Sequence, residues 1–435
     1  MPTIHFVLSS AARSLGLAGC RAFHLIVTSP GVSMTAPAVV RFEPSSLLAS
    51  RVAALSVAAP YAVPAGGFGA DLVRLVSGAP APEALPLADY ARVASELLTD
   101  PVTGPAALEY GPHSGIPELR AWIAAREGVR PDRILVTNGG LHGVSLAFSA
   151  LLDDGDSIAV DDPVFPDTLR VAEQQQARVL PIPVGADGLD VDALEWRLRS
   201  GQRIKVLYTV PDFHNPSGGV LPGAQRQRIV ELAEHYGFVI VSDNPYREYG
   251  FTATPEPDFS TESDQVVRVG TFTKTLGAGL RLGWIVAPAW LAPHLENVRR
   301  RTDFHSSVLS QRLIAALLGQ PDWFDALVAA GRRIYANRAV ILADAVRSQL
   351  AGVLEFDDPV GGFFLWAEIV DPGIDPATLL VAAAEQGLLL TAGRNFAATG
   401  GSAWDRRLRL AYSSAPVEHL TLGVDRLSAA VATLR

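Results

Sequence analysis

Apolar residues fall into short, nearly unbroken runs along this chain, each closing on a turn. Such runs occupy 134–137, 157–160, 205–211, 238–242, 266–270 and 284–287. Runs of this length, bounded by Gly, Pro, Asn or Asp, predict strands buried on both faces. Between them the apolar spacing changes to three and four. Ile116, Leu119 and Ile123 predict a helix with Pro117 in its first turn and Ser114 or Gly115 as its cap. A second helix opens after Gly139-Gly140 and runs to about Leu152. A third covers 223–236, with Ile229, Leu232, Ala233 and Tyr236 on one face. Residues 321–350 predict one long helix carrying Arg332, Arg333, Arg338 and Arg347 on solvated faces, followed by a strand at 363–367, a helix near 376–386 and a strand over 406–413. Residues 72–83 read as an extended piece ending in a turn. Five strand-then-turn units alternating with helices argue an α/β fold with a mostly parallel sheet and helices on both faces.

A chain of 435 residues is long enough for two domains and a large core. A content of 49% hydrophobic and 19% charged residues describes a globular protein. The net charge of −9 argues against a nucleic-acid partner, because phosphate binding needs a basic face. A single cysteine leaves no internal disulfide framework and no cysteine-based metal site. No apolar run reaches the roughly 18 residues that span a bilayer. The expectation is a cytoplasmic protein with no membrane, nucleic-acid or metal partner. Leu17-Ala18-Gly19-Cys20 has the look of a lipoprotein cleavage box, but no basic start precedes it and Arg13 interrupts the apolar stretch. Met34 is the only other methionine, and residues 1–33 are read as an upstream extension. Residues 35–70, rich in Ala, Pro and Val, are not assigned.

Only two lysines occur, Lys205 and Lys274, although Lys and Arg together number 36. Lys274 therefore stands apart from the surface cations, which are arginines. It offers a primary amine, the group that Schiff-base chemistry needs and a guanidinium cannot supply. It lies in a hydroxyl- and glycine-rich loop, Thr271-Phe272-Thr273-Lys274 to Gly279-Leu280-Arg281-Leu282-Gly283-Trp284, between two strand candidates.

That loop resembles the lysine motif of fold-type I pyridoxal-phosphate (PLP) aminotransferases of class I/II, in the branch that includes kynurenine, 2-aminoadipate and aromatic aminotransferases. Other stretches resemble the family's motifs in family order over roughly 72–430. The resemblance implies that Lys274 carries the cofactor as a Schiff base and that Thr271, Thr273 and Arg281 hold its phosphate. Backbone amides of Gly140 and Leu141, at the Gly-rich helix start, would join them, although Gly140 lacks the hydroxyl common in the family. An uncapped helix start of this kind suits an anion in any case.

Phe165, in Asp162-Pro163-Val164-Phe165-Pro166, would stack on the pyridine ring. Asn215, in Asn215-Pro216-Ser217-Gly218, would bond the ring oxygen, with Tyr246 donating to it as well. Asp243 would pair with the ring nitrogen. Tyr110, in Tyr110-Gly111-Pro112-His113-Ser114-Gly115, would reach the phosphate of a neighbouring subunit, which makes the active unit a homodimer. Arg409 would clamp the substrate α-carboxylate, with Arg407 on the same alternation two residues earlier, and Gly78 would let substrate pass the backbone. The family's Gly-x-x-Phe loop is matched by Gly393-Arg394-Asn395-Phe396.

The implied layout is an N-terminal extension (1–70), an arm with part of a small domain (71–115), a large PLP-binding domain (116–320) and a small C-terminal domain (321–435). The implied reaction is ping-pong transfer of an amino group between an L-amino acid, aromatic or aryl-glycine-like, and a 2-oxo acid. A β-eliminating lyase would use the same lysine, aspartate and arginine. A transcriptional regulator on this fold would need a basic helix-turn-helix segment, for which no pattern is present.

Overall fold

The computed structural model describes residues 47–53, 55, 71–251 and 256–435. The lipoprotein-like box and the segment around Met34 lie outside the described residues. The chain divides into two units, Met1–Ala53 and Ala54–Arg435. Of the first, only a short exposed helix, Ser50–Ala53, and its immediate neighbours are described.

In the second unit the strands are β1 (Val73–Arg74), β2 (Ile134–Thr137), β3 (Ser157–Asp162), β4 (Arg178–Gly185), β5 (Gly188–Leu189), β6 (Val206–Thr209), β7 (Val239–Asp243), β8 (Val266–Thr271), β9 (Gly283–Val286), β10 (Leu354–Phe356), β11 (Phe364–Ile369), β12 (Leu388–Leu389), β13 (Thr391–Ala392) and β14 (Arg407–Ala411). An eight-stranded sheet runs in the order β2-β9-β8-β7-β6-β3-β4-β5. Strands β8, β7, β6, β3 and β4 are parallel, while β9 runs against both its neighbours, so β2 points the same way as β8. The central strands β6, β7 and β8 are buried almost throughout, which is why their sequences are apolar without alternation. A four-stranded antiparallel sheet, β10-β11-β14-β13, and a parallel pair, β1-β12, lie within and around the C-terminal region.

Helices Gly140–Leu151, Gly223–Tyr236 and Trp323–Gln349 fall where the apolar spacing places them. Three details differ. The helix Pro117–Glu127 is preceded by Ile116, not capped by Ser114 or Gly115, and the Ile116 N–H is met by Gln311 Oε1 at 2.8 Å. Tyr236 is 37% exposed and does not join Ile229, Leu232 and Ala233 in the core. Arg338 is buried, not solvated. Its guanidinium donates to the carbonyls of Tyr412 and Ala415 and to Glu83, fastening the long helix to the turn after β1 and to the chain beyond β14. No single described helix is long and apolar enough to cross a membrane.

Candidate active site

The C-terminal ends of β2, β3, β6, β7 and β8 all reach the same edge of the large sheet. In open α/β sheets this edge is where ligands bind. Lys205 starts β6 at the opposite edge and pairs there with Asp153 and Asp156. A cavity of about 500 Å³ opens at the strand ends, and every candidate residue except Tyr110 lines it: Gly78, Gly140, Leu141, Phe165, Asn215, Asp243, Tyr246, Thr271, Thr273, Lys274, Arg281 and Arg409. Tyr110 is 80% exposed and packs against Phe304 and His305.

One end of the cavity is built for an anion. The helix Gly140–Leu151 begins there with no side chain capping it, so its first amides and the positive end of its dipole are available. The Thr271 hydroxyl lies 2.8 Å from that of Thr273. Arg281 sits in the left-handed region (φ 51°) and donates to the Asn138 carbonyl at 3.0 Å. Gly139, at φ +89°, has a conformation that strains any other residue, and a Cβ there, 2.7 Å from the Arg281 guanidinium, would displace that side chain.

The floor is Asp243, the last residue of β7. Burial pushes its carboxyl up to about 6, opposed by a hydrogen bond from Tyr208 and by the charge of Lys274. Tyr208 Oη donates to Asp243 Oδ2 at 2.9 Å from the adjacent strand. The sequence pattern marks Tyr208 only as a strand residue. An aromatic ring in a buried run gives no reason to single it out, whereas its place on β6, beside the strand that carries Asp243, is the signal that finds it.

The Lys274 amine lies beside the rings of Tyr246 and Phe363, at 5.3 and 6.0 Å, and donates to the Gly78 carbonyl at 2.8 Å. Burial lowers its pKa to about 8, helped by the charges of Arg409 and Arg281 and opposed by Asp243.

Across the cavity Arg409, on β14, donates to Asn215 Oδ1 at 2.7 Å and to the Val76 carbonyl at 2.6 Å. Phe364 and Phe396 flank the guanidinium at 4.2 and 4.8 Å, so the Gly-x-x-Phe loop contributes to holding it. Arg407 is bound instead to Glu368, its cross-strand neighbour, and does not line the cavity, so the strand register presents Arg409 there. Behind Asn215, the buried pair His214 and Asp161 and the buried ion pair Arg226–Asp212 stiffen the turn.

These groups match a phosphorylated pyridine aldehyde from end to end. Cations, hydroxyls and a helix start suit the phosphate, a buried carboxyl the ring nitrogen, an aromatic face the ring and an amine of depressed pKa the aldehyde. Fold and site together thus define an enzyme that works with PLP. The sequence matches the family described as aminotransferase class I and II over residues 71–427. It is 31% identical to the 2-aminoadipate transaminase of Thermus thermophilus, over 83% of this chain and 90% of that one. It is 30% identical to the mouse mitochondrial kynurenine/α-aminoadipate aminotransferase, over 82% and 91%. The crystal structure of the α-aminoadipate aminotransferase of Thermus thermophilus, complexed with N-(5′-phosphopyridoxyl)-L-leucine, superposes with a TM-score of 0.79 at 31% identity, covering 84% of this chain and 93% of that one. The chain belongs to the class I and II aminotransferase family.

The residues divide the work of transamination. When bound, PLP supplies the electron sink for the pair left at the substrate Cα. Asp243 would hold the ring nitrogen, and pairing with that positive charge would keep its carboxyl ionised despite its burial. Lys274 presents a neutral amine above about pH 8; it would be the group that holds the aldehyde of bound PLP and, once freed, the base that moves the substrate Cα proton. Arg409 is the cavity guanidinium that would take the α-carboxylate, for which a planar fork is suited. Its bond to Asn215 Oδ1 leaves that amide's NH2 group as the donor a cofactor would meet, so one side chain would link the two binding ends.

Proposed function

We propose that this protein is a homodimeric transaminase for L-amino acids whose side chains are aromatic or have a long aliphatic stem, using a 2-oxo acid as acceptor. The observation that carries this reading is the grouping of Lys274, Asp243 and Arg409 around one cavity. Leu141, Phe165, Val76, Val210 and Phe364 line the remaining wall, a surface suited to such side chains. The similar mouse protein named in part for kynurenine, an aromatic amino acid, supports an aromatic donor. The dimer is supported by Tyr110, which is exposed, as is Leu108 two residues earlier, and does not line its own cavity. In this reading it completes the partner's phosphate site. The test is a screen of amino donors against 2-oxo acids with ammonia monitored. Acceptor-dependent formation of a new amino acid is expected; ammonia released without any acceptor would mean elimination instead.

A further inference from the structure

One acidic side chain in the cavity is used by none of the roles above. Asp167, in the first turn of the helix Pro166–Gln174, lines the cavity beside Phe165 and is half-buried. Burial raises its carboxyl, with Arg170 on the same helix pulling the other way. The three cations of the cavity are engaged elsewhere: Lys274 with Gly78, Arg281 with Ala278 and Asn138, and Arg409 with Asn215 and Val76. Those three are committed to the amine chemistry, the phosphate and the α-carboxylate. The described cavity wall therefore offers a substrate side chain no spare cation and one carboxylate with no part in the transfer.

We propose that Asp167 is a specificity-determining residue that selects amino acids whose side chain ends in a cation or hydrogen-bond donor and rejects those bearing a second carboxylate. The preference follows from charge. A second carboxylate entering this wall meets a like charge on a half-buried side chain, and an ammonium or other donor meets an acceptor. On this account the chain departs from relatives named for 2-aminoadipate, whose substrate carries that second carboxylate. The inference rests on the proposed transaminase reading for the assignment of Arg281 and Arg409.

Three six-carbon donors separate the effects: L-lysine, L-norleucine and L-2-aminoadipate, which share a chain length and differ in the charge of the tip. Their half-reactions with the holoenzyme are followed by the change in cofactor absorbance, which requires no acceptor. Lysine is expected to exceed 2-aminoadipate in kcat/KM by at least about tenfold, with norleucine between them. Asp167→Asn should shrink that ratio to about one. Equilibrium binding of 6-aminohexanoate, hexanoate and adipate to the holoenzyme repeats the comparison without turnover. If no donor reacts but the binding order holds, the transaminase reading fails and the selectivity stands. A preference for 2-aminoadipate and adipate, or an Asp167→Asn variant with unchanged ratios, overturns the proposal. A purely structural role for Asp167 at the helix start would lower the melting temperature without altering the ratios.

Discussion

Asp243 and Lys274 face one cavity, and the protein displaces their titrations toward each other. Burial lifts Asp243 to about 6 and lowers Lys274 to about 8. Between those values the apoenzyme holds a carboxylate and an ammonium across the cavity, and above about 8 the amine is neutral. Because only the neutral amine attacks an aldehyde, the rate of covalent cofactor uptake by apoenzyme should climb with pH through about 8 and then level off. Stopped-flow absorbance measures it, and a rate that falls over that range contradicts the assignment. Below about 6 Asp243 takes up a proton, its attraction for the protonated ring is lost, and cofactor affinity should drop. Tyr208→Phe removes the bond that favours the Asp243 carboxylate, so the acid limb should move to higher pH. The sequence reveals Lys274 through its rarity and Asp243 through a motif. It hides Tyr208, because a tyrosine inside a buried strand looks like packing until the neighbouring strand is known.

At the scale of elements, β14 illustrates how register becomes function. Arg407 and Arg409 point alike from the strand, yet pairing with β11 ties Arg407 to Glu368 and delivers Arg409 to Asn215. Arg409→Ala should reduce kcat/KM for α-amino acids by the equivalent of roughly 2–5 kcal/mol, the range for a truncated buried charge contact, while Arg407→Ala leaves it nearly unchanged. Steady-state kinetics on both variants decide between them. Sequence periodicity recovers most strands of the central sheet, since burial on both faces writes itself as an apolar run. It misses β4, where Pro181 and Pro183 break the pattern; the strand persists because β3 and the short β5 flank it. It also misplaces Arg338, whose partner Glu83 lies 255 residues away. No local window contains such a contact. Arg338→Ala strands two buried carbonyls and should destabilise the fold by about 2–4 kcal/mol, read by denaturant unfolding; a change under about 0.5 kcal/mol would mean the pairing is incidental.

Across the whole molecule, the large sheet supplies the floor and phosphate end of the cavity, while β14 and the segment around Val76 and Gly78 supply the carboxylate clamp and the cover over Lys274. Residues far apart in the sequence therefore meet around one cavity, and order along the chain alone shows only that the motifs are present. The central claim is that Lys274 is the amine joined to PLP. Two lysines make that claim easy to test. Reducing the PLP-loaded enzyme with borohydride and mapping its peptides by mass spectrometry should find the phosphopyridoxyl mass on Lys274 alone, and Lys274→Ala should carry none and lose turnover. The mass on Lys205, or an unlabelled wild-type enzyme that still transaminates, would contradict the account.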